Sequence, residues 1–215
     1  MQRISVFGLG KVGHVLAICL ADVGHQVVGV DVNRQIIKQI TNGTFHSFEP
    51  GVMNRFKKVN NKRLMVTHDG EKAVLESDIS CLLVPTPSNA LGGFSLRYVL
   101  NACQIIGAAL KKKSDYHLVV VVSTMLPGSS DYFVMPHLEH TSGRKIGKNL
   151  GFCYNPIFIA LGEVVQGLLE PDYLLLGGSD TKASNLALAM HKPLIKKQPP
   201  IVRMLPIEAE ITKIA

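Results

Sequence analysis

The chain has 215 residues, of which 47% are hydrophobic and 18% charged, and it carries a formal net charge of +7. This composition excludes a disordered low-complexity chain, because it supplies enough apolar residues for a core. The length allows one large domain, or one domain with an extension. No apolar run is long enough to cross a membrane, and no signal peptide precedes the first strand-like segment, so we expect a cytoplasmic protein without a membrane partner.

The positive charge favours anionic partners such as phosphorylated ligands. The basic residues are scattered apart from the runs Lys111–Lys113 and Lys196–Lys197, and no ladder of aromatic and basic residues points to nucleic acid. We therefore expect no nucleic-acid partner. The four cysteines are far apart and lack the C-x-x-C spacing of a zinc or redox site, so we expect reduced, buried thiols.

Apolar runs alternate with helical patterns along the whole chain. In chain order, the pattern predicts strand Ile4–Phe7, helix Val12–Val23, strand Gln26–Val30, helix Asn33–Ile40, a loop with one short helix between Gly43 and Arg63, strand Arg63–Thr67, helix Glu71–Glu76, strand Ile79–Val84, helix Ser95–Lys113 N-capped by Ser95, strand Leu118–Ser123, a helix after Gly128, strands Leu150–Tyr154 and Tyr173–Leu176, helix Thr181–His191, strand Ile201–Met204 and a helix from Pro206. This alternation predicts an α/β fold with a doubly wound, mostly parallel sheet of the Rossmann type.

The first predicted strand is followed by the segment GLGKVG, which has the form G-x-G-x-x-G. Gly8 would permit a tight turn, Gly10 would let the backbone approach a pyrophosphate, and Gly13 would let the helix pack close to the strand. Lys11 and Val12 lie between these glycines and belong to the same predicted cofactor site. The string alone is weak evidence, but here it follows a strand and opens a helix within a βαβ unit, which is the context that dinucleotide binding requires.

An acidic residue at the end of the second strand is the next requirement, and Asp31 occupies that position. A carboxylate there accepts hydrogen bonds from the ribose hydroxyls and repels a 2′-phosphate, which predicts NAD as the cofactor. Arg34 lies close by in sequence and would reduce the preference for NAD over NADP, because arginine often holds the 2′-phosphate.

Further stretches carry a resemblance to one family. These are Glu49-Pro50-Gly51, Val84-Pro85-Thr86-Pro87, Ser123 to Ser129 (STMLPGS), Asn155 to Phe158 (NPIF), Glu170 to Tyr173 (EPDY) and Glu208 to Lys213 (EAEITK). Together, and in this order, they resemble the UDP-glucose/GDP-mannose dehydrogenase family. Each match is weak alone, but together they span nearly the whole chain.

The resemblance implies an NAD-dependent enzyme that oxidises the C6 alcohol of a nucleotide sugar to a uronic acid with two NAD molecules. The favoured candidate substrate is UDP-glucose. It implies that Thr124 binds an active-site water and that Lys213 stabilises a developing oxyanion. Pro85, Thr86 and Thr124 follow predicted strands, where α/β sheets place ligands, and they join the expected cofactor site. The family also implies a homodimer.

By the same resemblance, residues 1–204 form the NAD-binding domain and residues 205–215 begin a truncated central helix. The nucleotide-sugar domain of the family, with its G-x-x-C nucleophile, is absent from this sequence. The family's glutamate after Asn-Pro is Ile157 here, and a second glutamate is Leu161. Glu163 lies nearby as a possible substitute, although its register is offset. Cys153 is expected in the core.

Two alternative interpretations stay open at this point. The first is a catalytically inactive NAD-binding or regulatory module, suggested by Ile157, Leu161 and the missing nucleophile. The second is the group of 6-phosphogluconate and hydroxyisobutyrate dehydrogenases, which also opens with Gly-Leu-Gly but does not usually carry the other stretches. A metal site is not expected, because His137 and His140 have helical spacing without a third ligand at a recognisable distance.

Overall fold

Eight strands form a single sheet in the computed structural model, which describes residues 1–88 and 92–215. The strands are β1 (Arg3–Phe7), β2 (Gln26–Val30), β3 (Leu64–Thr67), β4 (Ile79–Leu82), β5 (His117–Val121), β6 (Leu150–Tyr154), β7 (Leu174–Gly178) and β8 (Ile201–Met204). The helices in these ranges are α1 (Gly13–Asp22), α2 (Arg34–Thr41), α3 (Val52–Val59), α4 (Gly70–Leu75), α5 (Arg97–Leu110), α6 (Met135–Ser142), α7 (Val164–Leu169), α8 (Thr181–His191) and α9 (Pro206–Ile214).

The strand order is β3-β2-β1-β4-β5-β6-β7-β8, and β1 to β6 are mutually parallel. The chain proceeds from β1 to β2 and β3 on one side, then returns to β4 on the other side. This reversal opens a crevice beyond the carboxyl ends of β1 and β4, where folds of this type bind their ligands. The predicted doubly wound α/β fold is therefore confirmed.

Helices cover both faces of the sheet because successive strand residues point to opposite sides. Ile4 and Val6 of β1 pack in one apolar core with α1, α3, α7 and α8, while Phe7 packs in a second core with α4, α5, α6 and α9. The central strands β4, β5 and β6 are buried along their whole length, as expected for parallel strands covered on both faces.

The last two strands reverse the direction of the sheet. β7 is antiparallel to β6 and parallel to β8, and only Cys153 and Tyr154 of β6 pair with it, opposite Gly178 and Gly177. The pair β7–β8 consequently extends past the carboxyl end of β6. A Cβ at Gly177 would lie 2.8 Å from the Cβ of Ala209, so this glycine allows α9 to pack directly on β7.

Some elements differ from the sequence predictions. The helix α5 begins at Arg97 with Leu96 rather than Ser95 at its N-cap, although the Ser95 hydroxyl accepts a hydrogen bond from the Arg97 amide at 3.4 Å, and the Ser95 amide donates to the Pro87 carbonyl at 2.9 Å. That bond holds Ser95 in the loop rather than in the helix. The helix after Gly128 begins with a π-helical turn, Ser130–Val134, and α7 had not been predicted.

Two of the buried histidines are His117, the first residue of β5, and His191, the last residue of α8. His117 is 0% exposed, and its Nε2 lies 2.8 Å from the Ser80 hydroxyl. His191 is 3% exposed, and its Nε2 lies 2.6 Å from Oδ1 of Asn155. Burial disfavours the charged ring and lowers the pKa of His117 to about 3 and that of His191 to about 4.

No helix in the described ranges is both long and apolar enough to span a membrane.

We expect the free energy of unfolding to fall as the pH drops from about 6.5 towards 4. The unfolded histidines take up protons in this range, whereas the folded ones, with lowered pKa values, stay neutral, so acid favours the unfolded chain. Each buried histidine contributes a slope of up to about 1.4 kcal/mol per pH unit. Urea denaturation at several pH values measures this slope.

The variant His191→Gln should flatten the slope, because glutamine can keep the contact to Asn155 but does not titrate. The matched control His140→Gln removes an exposed imidazole from α6 and should leave the slope unchanged. An unfolding free energy that is independent of pH in wild type between pH 6.5 and 4 would contradict this account.

Candidate functional site

The glycine-rich segment forms the turn between β1 and α1. Gly8 has a φ of +93°, which favours glycine, and a Cβ there would lie 2.5 Å from the Leu83 carbonyl oxygen. A Cβ at Gly13 would lie 1.8 Å from the carbonyl oxygen of Gly8. Both positions therefore require glycine, since the chain comes within contact distance of its own backbone.

Gly10 has a different environment. No heavy atom of the described structure lies within 4 Å of the position where its Cβ would be. The N-cap of α1, Val12, makes no side-chain capping bond, and the first turn contains no acidic residue. The His14 amide donates to the Gly10 carbonyl at 3.3 Å, but no side chain caps the start of α1, and an uncapped helix start next to open space attracts an anion such as pyrophosphate. Lys11 is exposed at the same turn.

Asp31 directly follows β2 and holds the glycine turn. Its Oδ2 accepts a hydrogen bond from the Leu9 amide at 2.7 Å, and its Oδ1 accepts one from the Asn33 amide at 2.8 Å. Each carboxylate oxygen keeps a further lone pair for a ribose hydroxyl. Arg34, the first residue of α2, is exposed close to Asp31 in sequence. The predicted cofactor residues Gly8, Gly10, Gly13 and Asp31 thus meet at one turn.

A cleft of about 270 Å³, the strand-end cleft, opens beside this turn. It is lined by residues from the glycine turn, from the carboxyl ends of β4 and β5, from the loop after β6 and from α9: Val12, Leu83, Val84, Val122, Ser123, Thr124, Ile157, Ile159 and Lys213. The predicted catalytic residues Thr124 and Lys213 therefore line the same cleft as Val12. Thr86 donates its hydroxyl to the Thr124 carbonyl at 2.8 Å, and Pro85 is exposed outside the lining.

Lys213 is held on the far side of the strand-end cleft. Its Nζ donates to the Ile157 carbonyl at 3.0 Å and lies 4.6 Å from the centre of the Phe158 ring. Partial burial lowers the pKa of the Lys213 ammonium. The two isoleucines Ile157 and Ile159 are the cleft's apolar side, and none of its described lining residues is a carboxylate. The cleft therefore carries a cation without an acidic partner.

The remaining residues that the sequence analysis singled out lie outside the lining of the strand-end cleft. Leu161 is 61% exposed, and Glu163 is an exposed residue at the start of α7, outside the lining of the strand-end cleft. Cys153 is 0% exposed in β6, and burial raises the pKa of its thiol to about 12, so it is protonated and unreactive at neutral pH. His137 and His140 lie on α6, and the described residues contain no group of three or more potential metal ligands.

Glu210 is a site residue that sequence reasoning did not single out. It is 0% exposed, and its carboxylate accepts hydrogen bonds from the Gly128 amide at 2.6 Å, the Ser130 amide at 2.7 Å and the Ser130 hydroxyl at 2.6 Å. These donors belong to the loop that carries Thr124, while Glu210 lies on α9 three residues before Lys213. The one signal in the sequence was that Glu210 belongs to the segment EAEITK, which resembles the family.

We expect opposite behaviour from alanine at two glycines of the turn. Gly10→Ala should fold normally, within about 0.5 kcal/mol of wild type, because its Cβ enters open space, but it should weaken NAD binding about tenfold or more by obstructing the pyrophosphate. Gly13→Ala, the matched control, should destabilise the fold by about 3 kcal/mol or more, because its Cβ collides with backbone. Thermal unfolding and calorimetric titration separate the two effects, and unchanged NAD affinity in Gly10→Ala would contradict the assignment.

We expect Asp31→Asn to weaken NAD binding about tenfold and to reduce the ratio of NAD affinity to NADP affinity. The substitution removes the charge that repels a 2′-phosphate, and it turns one carboxylate oxygen into a donor facing a backbone amide. As a control, Arg34→Gln should leave NAD affinity unchanged and reduce only NADP affinity. Calorimetry with each dinucleotide measures both preferences, and equal NADP affinity in wild type and Asp31→Asn would contradict the expected role of the carboxylate.

The chain is similar to curated dehydrogenases over most of its length. It is 33% identical to the UDP-glucose 6-dehydrogenase of Haloferax volcanii over 216 residues, covering 100% of this chain and 50% of that protein. It is 38% identical to the GDP-mannose 6-dehydrogenase of Pseudomonas aeruginosa over 209 residues, covering 95% of this chain and 48% of that protein. The chain thus spans about half the length of these relatives.

The fold agrees with a solved structure of the same kind. The crystal structure of a ternary complex of GDP-mannose dehydrogenase from Pseudomonas aeruginosa superposes with a TM-score of 0.93 at 38% identity, covering 99% of this chain and 48% of that chain. The profile described as the NAD binding domain of the UDP-glucose/GDP-mannose dehydrogenase family matches residues 2–195. The chain therefore belongs to the UDP-glucose/GDP-mannose dehydrogenase family and carries its NAD-binding domain.

Proposed function

We propose that the whole protein oxidises the C6 alcohol of a nucleotide sugar to a uronic acid with two NAD molecules. The observation that carries this proposal is the strand-end cleft, where Lys213 and Thr124 face a space that adjoins the glycine turn. UDP-glucose is the substrate expected from the sequence. GDP-mannose is a second candidate, because a relative of that name is 38% identical to the chain.

The side chains of the strand-end cleft suit oxidation of an alcohol. NAD held at the glycine turn by the α1 N-terminus and Asp31 would supply the hydride acceptor for oxidation at C6. The ammonium group of Lys213 is partly desolvated and fixed by the Ile157 carbonyl, so it can stabilise negative charge on the substrate oxygen more strongly than an ammonium in water can. Thr86 fixes the backbone at Thr124, whose proposed role is to bind the active-site water.

The proposal includes the domain division expected from the sequence. Residues 1–204 would be the NAD-binding domain and residues 205–215 the beginning of a central helix. The remaining half of the protein would supply the nucleotide-sugar domain, the cysteine nucleophile and the homodimer contact. We further infer a cytoplasmic location, which suits the four unpaired, buried cysteines. The names of the relatives favour this enzyme over a catalytically inactive module.

The test uses the complete enzyme that contains this chain. We expect NADH to form with UDP-glucose or with GDP-mannose, at two NADH per sugar. Lys213→Met should lower kcat about a hundredfold or more and change the Kd for NAD less than threefold, because the ammonium acts on the reacting oxygen rather than on the cofactor. The matched control Lys192→Met removes an exposed lysine of the same charge and should leave both constants unchanged.

The outcomes separate the candidate functions. Turnover with only one of the two nucleotide sugars would identify the substrate. Binding of NAD without NADH formation from either sugar would favour the inactive module. Equal kcat in Lys213→Met and wild type would remove Lys213 from the catalytic site.

A further inference from the structure

His14 lies in the first turn of α1, directly behind the glycine turn, and neither the cofactor motif nor the proposed chemistry gives it a role. The residue is 9% exposed. Its Nδ1 lies 2.7 Å from the Gly10 carbonyl oxygen, and its Nε2 lies 2.8 Å from the Ser47 hydroxyl. The ring of Phe45 packs edge-on against the imidazole at 5.0 Å between ring centres, so the side chain is held in place from several sides.

The contacts of His14 define where its proton lies. A carbonyl oxygen only accepts hydrogen bonds, so Nδ1 must carry the proton that is donated to Gly10. Burial lowers the pKa of His14, so the ring is neutral at pH 7 and Nε2 accepts from the Ser47 hydroxyl. Ser47 in turn accepts from the Glu49 amide at 3.3 Å. Each donor in this series therefore has one acceptor, and all the bonds run in the same direction.

Glu49 extends the series to the chain at the start of α7. Its Oε1 accepts from the Gly162 amide at 2.7 Å, and its Oε2 accepts from the Val164 amide at 3.3 Å. These amides begin α7, which follows the loop containing Ile157. The polar series from His14 to Glu49 thus connects the glycine turn to the segment that forms the apolar side of the cleft.

The bond to Gly10 has a direct consequence for an anion at the turn. The peptide group between Gly10 and Lys11 is planar and trans, so its N–H points opposite to its C=O. The His14 backbone amide, at 3.3 Å, and the shorter bond from Nδ1, at 2.7 Å, together hold the Gly10 carbonyl towards the helix, so the Lys11 amide is directed outward, into the open space in front of Gly10. That is the direction from which a pyrophosphate would approach.

We propose that His14 is a positioning residue of the dinucleotide site, which orients the Gly10–Lys11 peptide towards the pyrophosphate and, through Ser47 and Glu49, couples it to the start of α7. This inference rests on NAD binding at the glycine turn. It assigns His14 to the pyrophosphate part of the ligand and not to the adenosine part, which lies at Asp31.

Two substitutions at the same position separate the contacts. The amide nitrogen of His14→Asn takes the place of Nδ1 and can still donate to Gly10, whereas that of His14→Gln takes the place of Nε2, too far from Gly10, and can donate only to the Ser47 oxygen. Each variant loses one buried hydrogen bond, so a merely structural role predicts similar losses in both. We expect the Kd for NAD to rise about five- to tenfold in His14→Gln and less than threefold in His14→Asn.

The measurement is calorimetric titration of the chain with NAD, together with ligand-observed NMR with adenosine, which lacks the pyrophosphate. Thermal unfolding of each variant checks that it is folded. Adenosine affinity should stay unchanged in both variants. Ser47→Ala, which leaves the bond to Gly10 in place, should raise the Kd for NAD no more than about threefold and provides a second test if a His14 variant does not fold.

Equal NAD affinity in His14→Gln and His14→Asn, or a parallel loss of adenosine affinity, would overturn the inference while leaving the cofactor assignment intact. A wild-type chain that binds no NAD would instead overturn the cofactor assignment and this inference with it.

Discussion

The arrangement of the strand-end cleft depends on one buried carboxylate. Glu210 is fully enclosed, and burial raises its pKa, although three donors of the loop between Gly128 and Ser130 surround it. Leaving those donors and the carboxylate unpaired inside the protein would cost several kcal/mol, on the order of what a broken buried pair costs. α9 is therefore fixed against the loop that carries Thr124, and Lys213 follows one helical turn later on the same helix. The Glu210 contacts therefore help to keep the Lys213 ammonium on the same cleft as Thr124.

The two sides of the strand-end cleft are formed by different kinds of contact. The cofactor side is made by close approach of backbone, since Gly8 and Gly13 allow the turn and α1 to pack within contact distance of neighbouring carbonyl groups. The opposite side is made by side chains, with Lys213 above the apolar surface of Ile157 and Ile159. The cofactor side is specified by the short local motif GLGKVG. The opposite side is specified by contacts between segments far apart in the chain.

This difference explains how much could be predicted from the sequence. The bounds of β2, β6, α8 and β8 agree with their predictions, because apolar runs and turn residues define them locally. The glycine motif and Asp31 also meet as expected. α7 was missed because it has only six residues and its first amides are bound by Glu49, more than a hundred positions earlier. The N-cap of α5 is Leu96, one residue after the predicted Ser95, whose hydroxyl still accepts from the Arg97 amide, and Glu210 depends on a partner loop that no local pattern reveals.

The reversal of strand direction at β7 has a consequence for how the molecule opens. Two paired residues join β6 to β7, with further bonds from the Ser179 amide to the Phe152 carbonyl and from Asn155 to the Leu175 carbonyl, whereas five pairs join β5 to β6. The hydrogen-bonded seam between the parallel sheet and the β7–β8 pair is the narrowest in this part of the sheet, and α9 packs on β7 through Gly177. Proteins open locally along such boundaries, in cooperative units smaller than the whole domain. A partial opening at this seam would also have to break the Glu210 bonds to Gly128 and Ser130, and it would then carry β7, β8 and α9 away together, removing the Lys213 side of the cleft while the six parallel strands and the glycine turn stay folded.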